Sequence, residues 1–473
     1  MTNTCKLRMA RQDFDRLFEH LFPGDHDEHG AVLLCGTASI NGQLLLYVRE
    51  IHFAREGTDY VEGTYGYRAL SPKFIHRVIT RARDQKLAYL AVHNHGSDRA
   101  VGFSSIDLDS HERGYPALLQ ISRGMPVGAL VAGRRSLQAD VWLPDGRRLE
   151  LKEAVIVGST VLRLTPAPEH VSPEDRENYD RQIRMFGRAG QEILARCRVG
   201  IVGLGGIGSL LAEYLSRLGV GEFCLIDNDR VETSNLSRIV GATARDAIEQ
   251  ILKVTVAQRV ILQANEKAIV QTVPEDVANE SAAKELIACD YVFIAADSMR
   301  ARLVCNTVIH QYLIPGVQLG SKIRPDESGS LLEVMSVNRP IRPGQGCLWC
   351  NQLIDPSALS IEAKTDEDRK AQAYGVEEAN PSIISLNAVA AAHAVNDFLL
   401  DYLGLRPEPE RLYYQQFHML QRKHTMVEPR RDSDCTECSP AGLRYARGDS
   451  VALPCLEETF SETTNTESHK NRE

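Results

Sequence analysis

Two pairs of cysteines with the same spacing are the residues of this chain best suited to hold a metal. Cys347 and Cys350 form the first pair and Cys435 and Cys438 the second, each with two residues between its members. One such pair can bind a metal or cycle as a redox disulfide, but two pairs supply the four thiolates that tetrahedral Zn²⁺ requires. The spacing therefore predicts a structural zinc site built from both pairs.

A second set of metal ligands lies nearer the amino terminus. His93 and His95 alternate, and Asp107 follows after a short loop. Because alternate residues of a strand point to one side, these three residues predict a zinc site that keeps an open position for water. Hydrolysis at such a site also needs a carboxylate that takes up a proton. His111 has no complete ligand set near it and is interpreted as a packing or surface residue.

A glycine-rich turn predicts a nucleotide site in the second half of the chain. Gly203, Gly205 and Gly208 follow an apolar strand and begin a helix, an arrangement that lets backbone amides approach a phosphate. Asp227 closes the next strand about twenty residues later, where a carboxylate can bind ribose hydroxyls. The turn and Asp227 alone would also permit a nicotinamide-dependent oxidoreductase.

The residues beyond this turn favour a triphosphate over a nicotinamide coenzyme. Asn235, Arg238 and Lys253 supply polar and cationic groups, and Asp297 follows another apolar strand. Cations together with one carboxylate suit a triphosphate bound with Mg²⁺. We therefore expect ATP and Mg²⁺ as cofactors, with the oxidoreductase as the rival interpretation.

The order of these motifs resembles the adenylating enzymes for ubiquitin-like proteins, the ThiF/MoeB-type adenylyltransferases and ubiquitin-activating enzymes. The resemblance covers roughly residues 176 to 440 and rests on these segments: Tyr179 to Ile183, Gly203 to Gly208, Leu225 to Asp229, Ser234 to Arg238, Ala295 to Asp297 and both cysteine pairs. It implies that these residues bind ATP and Mg²⁺: Asp227 the ribose, with Asp229 as the alternative for part of that role, Asn235, Arg238 and Lys253 the phosphates, and Asp297 the Mg²⁺. It also implies a homodimer in which Arg181 reaches the partner's triphosphate.

The resemblance implies adenylation of the C-terminal glycine of a ubiquitin-like protein as the reaction. A carboxylate that attacks the α-phosphate of ATP gives an acyl-adenylate and pyrophosphate, and fixed cations stabilise the charge that develops. No cysteine lies between Cys350 and Cys435, so we expect no thioester on the enzyme and a transfer to an external sulfur donor or carrier protein. Cys305, in an apolar helical setting, is interpreted as a core residue. The polar segment 365–370 is interpreted either as a loop that covers the substrate tail or as a solvated charge run.

The amino-terminal motif resembles the JAMM (MPN) metalloproteases, which cleave at the C-terminus of ubiquitin and its relatives. This resemblance covers about residues 5 to 150 and implies that Ser104 supports a tetrahedral intermediate by hydrogen bonding. It also implies a glutamate ahead of the first apolar strand as the proton acceptor. Glu28 is the nearest carboxylate, and Glu50 is the alternative.

Two departures from the JAMM pattern leave an inert domain as the alternative. Gly96 stands where the family usually has proline, and the interval from His95 to Asp107 is one residue longer than usual. Metal-free relatives with this fold act as scaffolds. The amino-terminal domain is therefore predicted either to process or deconjugate the ubiquitin-like protein, or only to dock it.

The elements that must position these residues form two α/β units. Short apolar runs and two helical stretches predict a mixed α/β domain over residues 1–157, followed by a proline-rich linker over 158–175. Residues 176–440 are predicted to form a Rossmann-like domain, since a strand, the glycine turn, a helix and a second strand make a βαβ unit in a parallel sheet. Polar residues dominate 441–473, which predicts a disordered tail.

Composition limits the partners. The chain has 473 residues, a formal net charge of -9 and no basic block interleaved with aromatic residues, which disfavours nucleic acid, including an adenylating enzyme that acts on transfer RNA. No apolar run reaches the length of a membrane span. The eleven cysteines, without a recognisable signal peptide, favour zinc and buried thiols and predict a cytosolic protein.

Overall fold

The structure, a computed structural model, describes residues 4–25, 27–61, 68–167, 177–362, 381–406 and 411–456. Within these residues the chain forms two α/β units, each built on an eight-stranded sheet. The polar segment 365–370 lies outside the described residues. Among the helices that are described, none is long and apolar enough to cross a membrane.

The first unit consists of eight strands and three helices. They are β1 (Thr4–Ala10), α1 (Arg11–Leu21), β2 (Gly30–Ile40), β3 (Gln43–Phe53), α2 (Pro72–Gln85), β4 (Ala88–Asn94), α3 (Ser105–Ser122), β5 (Val127–Gly133), β6 (Ser136–Trp142), β7 (Arg148–Val157) and β8 (Val161–Leu164). β1 pairs in parallel with both β3 and β7, so the sheet closes on itself. α1 packs its apolar side into one core of this sheet, and α2 and α3 pack into a second core on the other side.

The second unit contains the parallel sheet that the glycine turn predicts. Its elements are α4 (Asp180–Arg196), β9 (Arg198–Val202), α5 (Gly206–Arg217), β10 (Glu222–Ile226), α6 (Ala244–Ile248), α7 (Lys253–Ala264), β11 (Ile269–Val273), α8 (Glu280–Glu285), β12 (Tyr291–Ile294), α9 (Met299–Gln311), β13 (Gly316–Pro325), β14 (Leu331–Ile341), α10 (Pro356–Glu362), α11 (Ile384–Tyr402), β15 (Tyr414–His418) and β16 (Lys423–Val427). Strands β11, β10, β9, β12 and β13 are parallel, and β14, β15 and β16 extend the sheet in antiparallel fashion. α5, α7 and α11 cover one face, and α8 and α9 cover the other. The predicted α/β class and the Rossmann-like sheet are thereby confirmed.

Two of the predicted boundaries differ from the observed packing. β8 falls inside the predicted linker 158–175, where it pairs with β7 of the first sheet. The tail predicted from residue 441 is folded as far as Leu456, with Tyr445 and Ala446 fully buried and Gly448 bridged to Thr37. The packed part of the chain therefore extends beyond residue 440.

Candidate functional site

The glycine turn lies where β9 ends and α5 begins. Gly203 has a φ of +88°, and a Cβ there would lie 2.7 Å from the backbone nitrogen of Ala296, in the segment after β12. A Cβ on Gly208 would overlap the carbonyl oxygen of Gly203. Only glycine allows this close approach of backbone segments. A Cβ on Gly205, the residue before α5, would have no atom within 4 Å. The start of α5 is therefore open at Gly205, at the carboxyl edge of the sheet, where backbone amides can bind an anion.

Asp227 is fixed at the same edge, directly after β10. One of its carboxylate oxygens accepts a hydrogen bond from the backbone nitrogen of Leu204 at 2.6 Å, and the other accepts one from Asp229 at 2.8 Å. Burial raises the pKa of Asp227, and the Lys253 cation opposes that rise. Nζ of Lys253 lies 2.6 Å from Oδ2 of Asp229. The structure therefore brings the predicted ribose ligand, its alternative and a predicted phosphate ligand together.

Asn235 and Arg238 lie beside this turn. Asn235 is buried, and its Oδ1 accepts a hydrogen bond from the backbone of Glu232 at 3.3 Å. Nη1 of Arg238 donates to the carbonyl oxygen of Ser234 at 2.8 Å. Cδ of Arg238 lies 3.4 Å from the point that a Cβ on Gly206 would occupy, so the arginine packs at the start of α5. The Arg238 side chain therefore lies close to the glycine turn, and Asn235 lies three residues before Arg238 in the chain.

Asp297 is exposed after β12 and just before α9. Ser298 begins α9, its Oγ accepting from the backbone of Ala301 at 3.1 Å. Arg302, which the sequence did not single out, lies one turn into this helix; burial lowers its pKa, and the charge of Asp297 opposes that shift. The Arg302 cation thus adds to the positive charge near the predicted Mg²⁺ ligand.

Two more residues at this edge were missed from the sequence. Glu362 accepts hydrogen bonds from the backbone nitrogens of Met299 and Arg300, at 2.8 and 2.9 Å, and so occupies the amino end of α9. Asn387, buried in the first turn of α11, packs against Gly206 and accepts from Ser321 Oγ at 2.9 Å. Neither shows a sequence signal, because each meets the site only through long-range packing.

Arg181 and Cys305 lie apart from this group. Arg181 is exposed in the first turn of α4, and its contact with a second subunit stays a prediction. Cys305 is fully buried within α9, and burial raises the pKa of its thiol. Its position is that of a core residue rather than of a nucleophile.

The four paired cysteines converge into one cluster. Their sulfur atoms are 3.6 Å apart for Cys347 and Cys350, 3.7 Å for Cys347 and Cys435, and 3.5 Å for Cys350 and Cys438. A tetrahedron with Zn–S bonds of about 2.3 Å has sulfur separations of about 3.8 Å. The hydrogen bond between Cys347 and Cys435 lowers the pKa of the Cys435 thiol and raises that of Cys347, so Cys435 is the member of this pair that favours a thiolate. The donor set and its spacing therefore fit Zn²⁺.

Comparison with known proteins identifies the fold family of this second unit. The ThiF family model matches residues 179–437, more than half of the chain. The chain belongs to the ThiF family. The match includes the glycine turn, the polar residues beyond it and three of the four clustered cysteines, and it confirms the predicted resemblance to ThiF/MoeB-type adenylyltransferases.

Individual relatives cover only part of this ThiF family protein. The sulfur carrier protein adenylyltransferase of Thermus thermophilus is 36% identical over 135 residues, which are 28% of this chain and 49% of the relative. The adenylyltransferase and sulfurtransferase UBA4 of Debaryomyces hansenii is 27% identical over 280 residues, 57% of this chain and 58% of the relative. The tRNA threonylcarbamoyladenosine dehydratase of Escherichia coli is 30% identical over 32% of this chain and 56% of the relative. The chain thus spans less than two thirds of the length of each.

Solved structures give a weaker match. MccB of E. coli, in its structure with ATP, is 22% identical and has a TM-score of 0.45, covering 57% of this chain and 76% of that one. No argument about function rests on a similarity at this level.

The histidine cluster lies in the first unit, outside the ThiF match. His93 ends β4 opposite the start of β2, and Asp107 lies in the first turn of α3. The Nε2 atoms of His93 and His95 are 3.2 Å apart, and the Asp107 carboxylate lies 3.6 and 3.7 Å from them. Burial lowers the pKa of His95, which favours the neutral imidazole that binds metals. Two nitrogens and one carboxylate oxygen at this spacing fit Zn²⁺.

A carboxylate and a hydroxyl adjoin this cluster. Oε1 of Glu28 lies 3.8 Å from Nε2 of His95, and burial raises the pKa of Glu28. Ser104 caps α3, and its hydroxyl donates to the Asp107 carboxylate at 2.7 Å. Burial opposes ionisation of Asp107, yet hydrogen bonds from His93 and Ser104 leave its pKa below the ordinary value. Of the two predicted glutamates, only Glu28 reaches the cluster.

Glu50 and His111 have other partners. Glu50 accepts from Arg81 at 2.6 and 2.9 Å and pairs with His52 at 3.1 Å. Nδ1 of His111 lies 2.8 Å from the Asp140 carboxylate, and its ring stacks on that of Tyr115. Both residues are engaged in packing the first unit.

Proposed function

We propose that this chain adenylates the C-terminal glycine of a ubiquitin-like protein with ATP and Mg²⁺. The observation that supports this most is the position of the glycine turn, Asp227, Arg238 and Asp297 together at the carboxyl edge of one parallel sheet. In open α/β sheets ligands bind outside the carboxyl ends of the strands. The ThiF family match supports ATP as the nucleotide that binds there.

The proposed reaction is nucleophilic substitution at phosphorus. A carboxylate oxygen of the terminal glycine forms a bond to the α-phosphorus of ATP, the bond from that phosphorus to the bridging oxygen breaks, and pyrophosphate leaves. Mg²⁺ held by Asp297 would supply positive charge to the phosphates. The chain's own residues would act as predicted, with Asp227 on the ribose, assisted by Asp229, and Asn235 and Arg238 on the phosphates.

Two further residues complete the proposed triphosphate site. Lys253, now paired with Asp229 at 2.6 Å, would turn its ammonium group to the phosphates when they are present. Arg181 would come from the second subunit of a homodimer. Each adds positive charge where charge builds up as pyrophosphate leaves.

The protein substrate is proposed to be a sulfur carrier or a related ubiquitin-like protein. Two relatives are named as an adenylyltransferase for a sulfur carrier protein and as an adenylyltransferase and sulfurtransferase. No cysteine lies between Cys350 and Cys435. The acyl group would therefore pass from the adenylate to an external sulfur donor or carrier rather than to the enzyme, and AMP would leave.

For the first unit we propose zinc-dependent cleavage at the C-terminus of the same ubiquitin-like protein. The supporting observation is the approach of Glu28 to the cluster of His93, His95 and Asp107. Zn²⁺ bound there would act as a Lewis acid on a peptide carbonyl. Glu28, whose pKa is raised by burial, would accept at Oε1 a proton from the water whose oxygen bonds to the carbonyl carbon. It would return that proton to the amine that leaves when the C–N bond breaks. Ser104 would stabilise the tetrahedral intermediate.

An inert docking domain is the alternative for this unit. A cluster that binds no Zn²⁺, or that binds it and cleaves nothing, would leave the unit only a surface for the ubiquitin-like partner. Alanine in place of His93 and His95 would then change neither cleavage nor adenylation.

Exchange of ³²P-labelled pyrophosphate into ATP tests adenylation directly. With a carrier protein that ends in Gly-Gly we expect exchange and an adenylated carrier by intact mass. Asp297→Asn should slow exchange roughly 100-fold or more, because charge stabilisation at phosphorus is lost. Asp15→Asn, an exposed change on α1, should leave exchange unaltered. Exchange that persists in Asp297→Asn, or that needs tRNA instead of a carrier protein, would refute the proposal.

A further inference from the structure

The two units meet in a seam made of fixed contacts. Arg8 of β1 donates to the carbonyl oxygens of Cys289, at 2.9 Å, and Tyr312, at 3.2 Å. The rings of Tyr47 and Tyr312 meet edge to face, with centroids 5.5 Å apart. Arg163 of β8 donates to the carbonyl oxygen of Tyr402 at 3.0 Å. The first unit therefore binds the second through buried side chains, not only through the linker.

Residues 442–456, which we term the strap, reinforce this seam. Tyr445 is fully buried, and its hydroxyl donates to Asp13 of α1 at 3.2 Å. Arg49 of β3 donates to the carbonyl oxygens of Gly442 and Tyr445. The backbone nitrogen of Asp449 donates to Thr37 of β2 at 2.8 Å. The strap belongs to the second unit by sequence but packs between both.

The strap is closely packed against the first unit at two glycines. A Cβ on Gly36 would overlap the carbonyl oxygen of Ala446, and one on Gly448 would overlap that of Thr37. Gln311, at the end of α9, donates from Nε2 to the Gly448 carbonyl oxygen at 2.8 Å. These contacts hold the units as one body, because close packing of this kind resists continuous displacement.

The nucleotide site lies at the end of the second unit that faces away from the seam. Asp297 precedes α9, and Tyr312, which contacts Arg8 and Tyr47, follows it. The thirteen residues of α9 span about 20 Å at 1.5 Å each. The predicted Mg²⁺ ligand is therefore about 20 Å from the seam.

The histidine cluster lies at the far end of the first unit. β2 meets the strap at Thr37 and pairs with His93 at Gly30. Seven residues of strand at about 3.3 Å each separate these positions by about 23 Å. Among the described residues, the hydrogen bonds that cross the seam involve none of Glu28, His93, His95 or Asp107. The histidine cluster and the predicted Mg²⁺ ligand therefore lie on separate units, each about 20 Å or more from the contacts of the seam.

From this arrangement we infer that the two sites of one chain do not hand over substrate directly, an inference that rests on the proposed function. A ubiquitin-like protein cleaved at the histidine cluster dissociates and binds again before it is adenylated. A flexible tether would raise the effective concentration of one site near the other, but the seam removes that freedom. The first unit therefore supplies trimmed carrier to the solution, and any ThiF site can use it.

The test compares the intact enzyme with a mixture of two single-site variants. His95→Ala lacks a ligand of the histidine cluster, and Asp297→Asn lacks the Mg²⁺ ligand. The substrate is a carrier protein with a short peptide after its Gly-Gly. The two variants are purified separately and combined only when the reaction starts, before subunits of the proposed homodimers can exchange. Each is present at the concentration of intact enzyme, so that the functional sites are equal in concentration, and acyl-adenylate is followed by intact mass.

If the trimmed carrier dissociates between cleavage and adenylation, the formation of acyl-adenylate should begin with a lag. The lag and the later rate should agree within about twofold between intact enzyme and mixture, and the lag should vanish with carrier that already ends in Gly-Gly. Intact enzyme without a lag, at a rate tenfold or more above the mixture, would overturn the inference.

Each variant alone separates failure of this inference from failure of the proposed function. Asp297→Asn must trim the extended carrier, and His95→Ala must adenylate the trimmed one. If either single reaction is absent, the proposed function fails and the inference fails with it. If both occur and only their coupling in the intact enzyme is fast, the inference alone is wrong.

Discussion

The cysteine cluster and the histidine cluster differ in the number, kind and exposure of their ligands. The first offers four sulfur atoms, three of them on buried residues. The second offers two nitrogens and one carboxylate, on side chains 12 to 23% exposed. Four protein ligands complete a tetrahedron, whereas three leave a position for water or substrate. Four ligands on mostly buried residues suit a structural zinc site, and three partly exposed ligands suit the open zinc site that we propose for cleavage.

The residues around each cluster support the same distinction between them. Glu437 lies between two of the cysteines and accepts a hydrogen bond from Thr307 of α9 at 2.6 Å, so the cysteine cluster is tied to the helix that ends at the seam. Glu28 and Ser104, beside the histidine cluster, are groups that can exchange protons. The cysteine cluster is therefore bonded to the core helix α9, whereas a carboxylate and a hydroxyl group adjoin the histidine cluster.

Cys438→Ser should give the largest effect. Structural zinc contributes on the order of 10 kcal/mol to folding in small domains, so we expect a melting temperature lower by more than 10 °C and loss of one bound zinc per chain. Differential scanning fluorimetry and metal analysis would measure both. Because the strap follows this cluster directly, adenylation and cleavage should fall together.

Cys455→Ser is the matched control for this change. Cys455 is half-buried in the strap and outside the cluster, so zinc content and melting temperature should stay near those of the original chain. A Cys438→Ser protein that keeps its zinc and its melting temperature would show that the cluster is not a structural site.

Glu28→Gln should have the second-largest effect, and that effect should be confined to cleavage at the histidine cluster. Loss of a general base costs roughly 10² to 10⁴ in rate, so peptide cleavage should fall by that range while zinc at the histidine cluster and pyrophosphate exchange persist. Glu50→Gln is the control, because Glu50 is paired with Arg81 and His52. Equal losses of cleavage in both variants would argue against the assignment of Glu28.

Ser104→Ala should act more weakly, through Asp107. The serine hydroxyl caps α3 and donates to the carboxylate of Asp107, a predicted metal ligand. Loss of such a supporting hydrogen bond lowers metal affinity or activity about 10- to 100-fold. Zinc titration with a competing chelator would measure the change. Ser105→Ala, at the next residue of α3, should leave the affinity nearly unchanged; equal loss in both variants would point to the helix end rather than to the hydroxyl.

Local patterns predicted the elements that carry the nucleotide site. The strand, glycine turn and helix around Gly203 follow from apolar spacing within a few residues, and the observed β9, α5 and β10 match them. Asp297 was found by the same logic, since it follows a short buried strand. Such features depend on neighbours in sequence, which is why the sequence alone could predict them.

Residues fixed by long-range contacts escaped prediction. The strap lies at the start of residues 441–473, a segment predicted to be disordered because polar residues dominate it as a whole. The order of the strap comes from backbone hydrogen bonds to Thr37 and Gln311 of distant elements. Glu50 stayed open as the alternative to Glu28, because the choice depends on the register of β2 against β4, which sets Gly30 opposite His93. Register and domain contacts are properties of the folded chain rather than of its local segments.

Asp140→Asn should give the smallest effect and should spare both clusters. Asp140 accepts hydrogen bonds from His111, Trp142 and Arg148 at 2.8, 3.1 and 3.0 Å. Burial opposes ionisation, but these bonds lower the pKa of Asp140 to about 2, below the ordinary 3.8. The ionised Asp140 carboxylate therefore stabilises the folded state by about 2 kcal/mol above pH 4.

This contribution should fade as the pH falls from about 4 through 2, because the carboxyl group then becomes protonated in the folded state as well. Asp140→Asn should therefore lower the free energy of unfolding by about 2 kcal/mol at pH 7 and by about half as much near pH 3. Urea unfolding at both pH values would show this, with exposed Asp109→Asn as the control. Loss of zinc from the histidine cluster in Asp140→Asn would instead mean that the His111–Asp140 pair supports the metal ligands on α3.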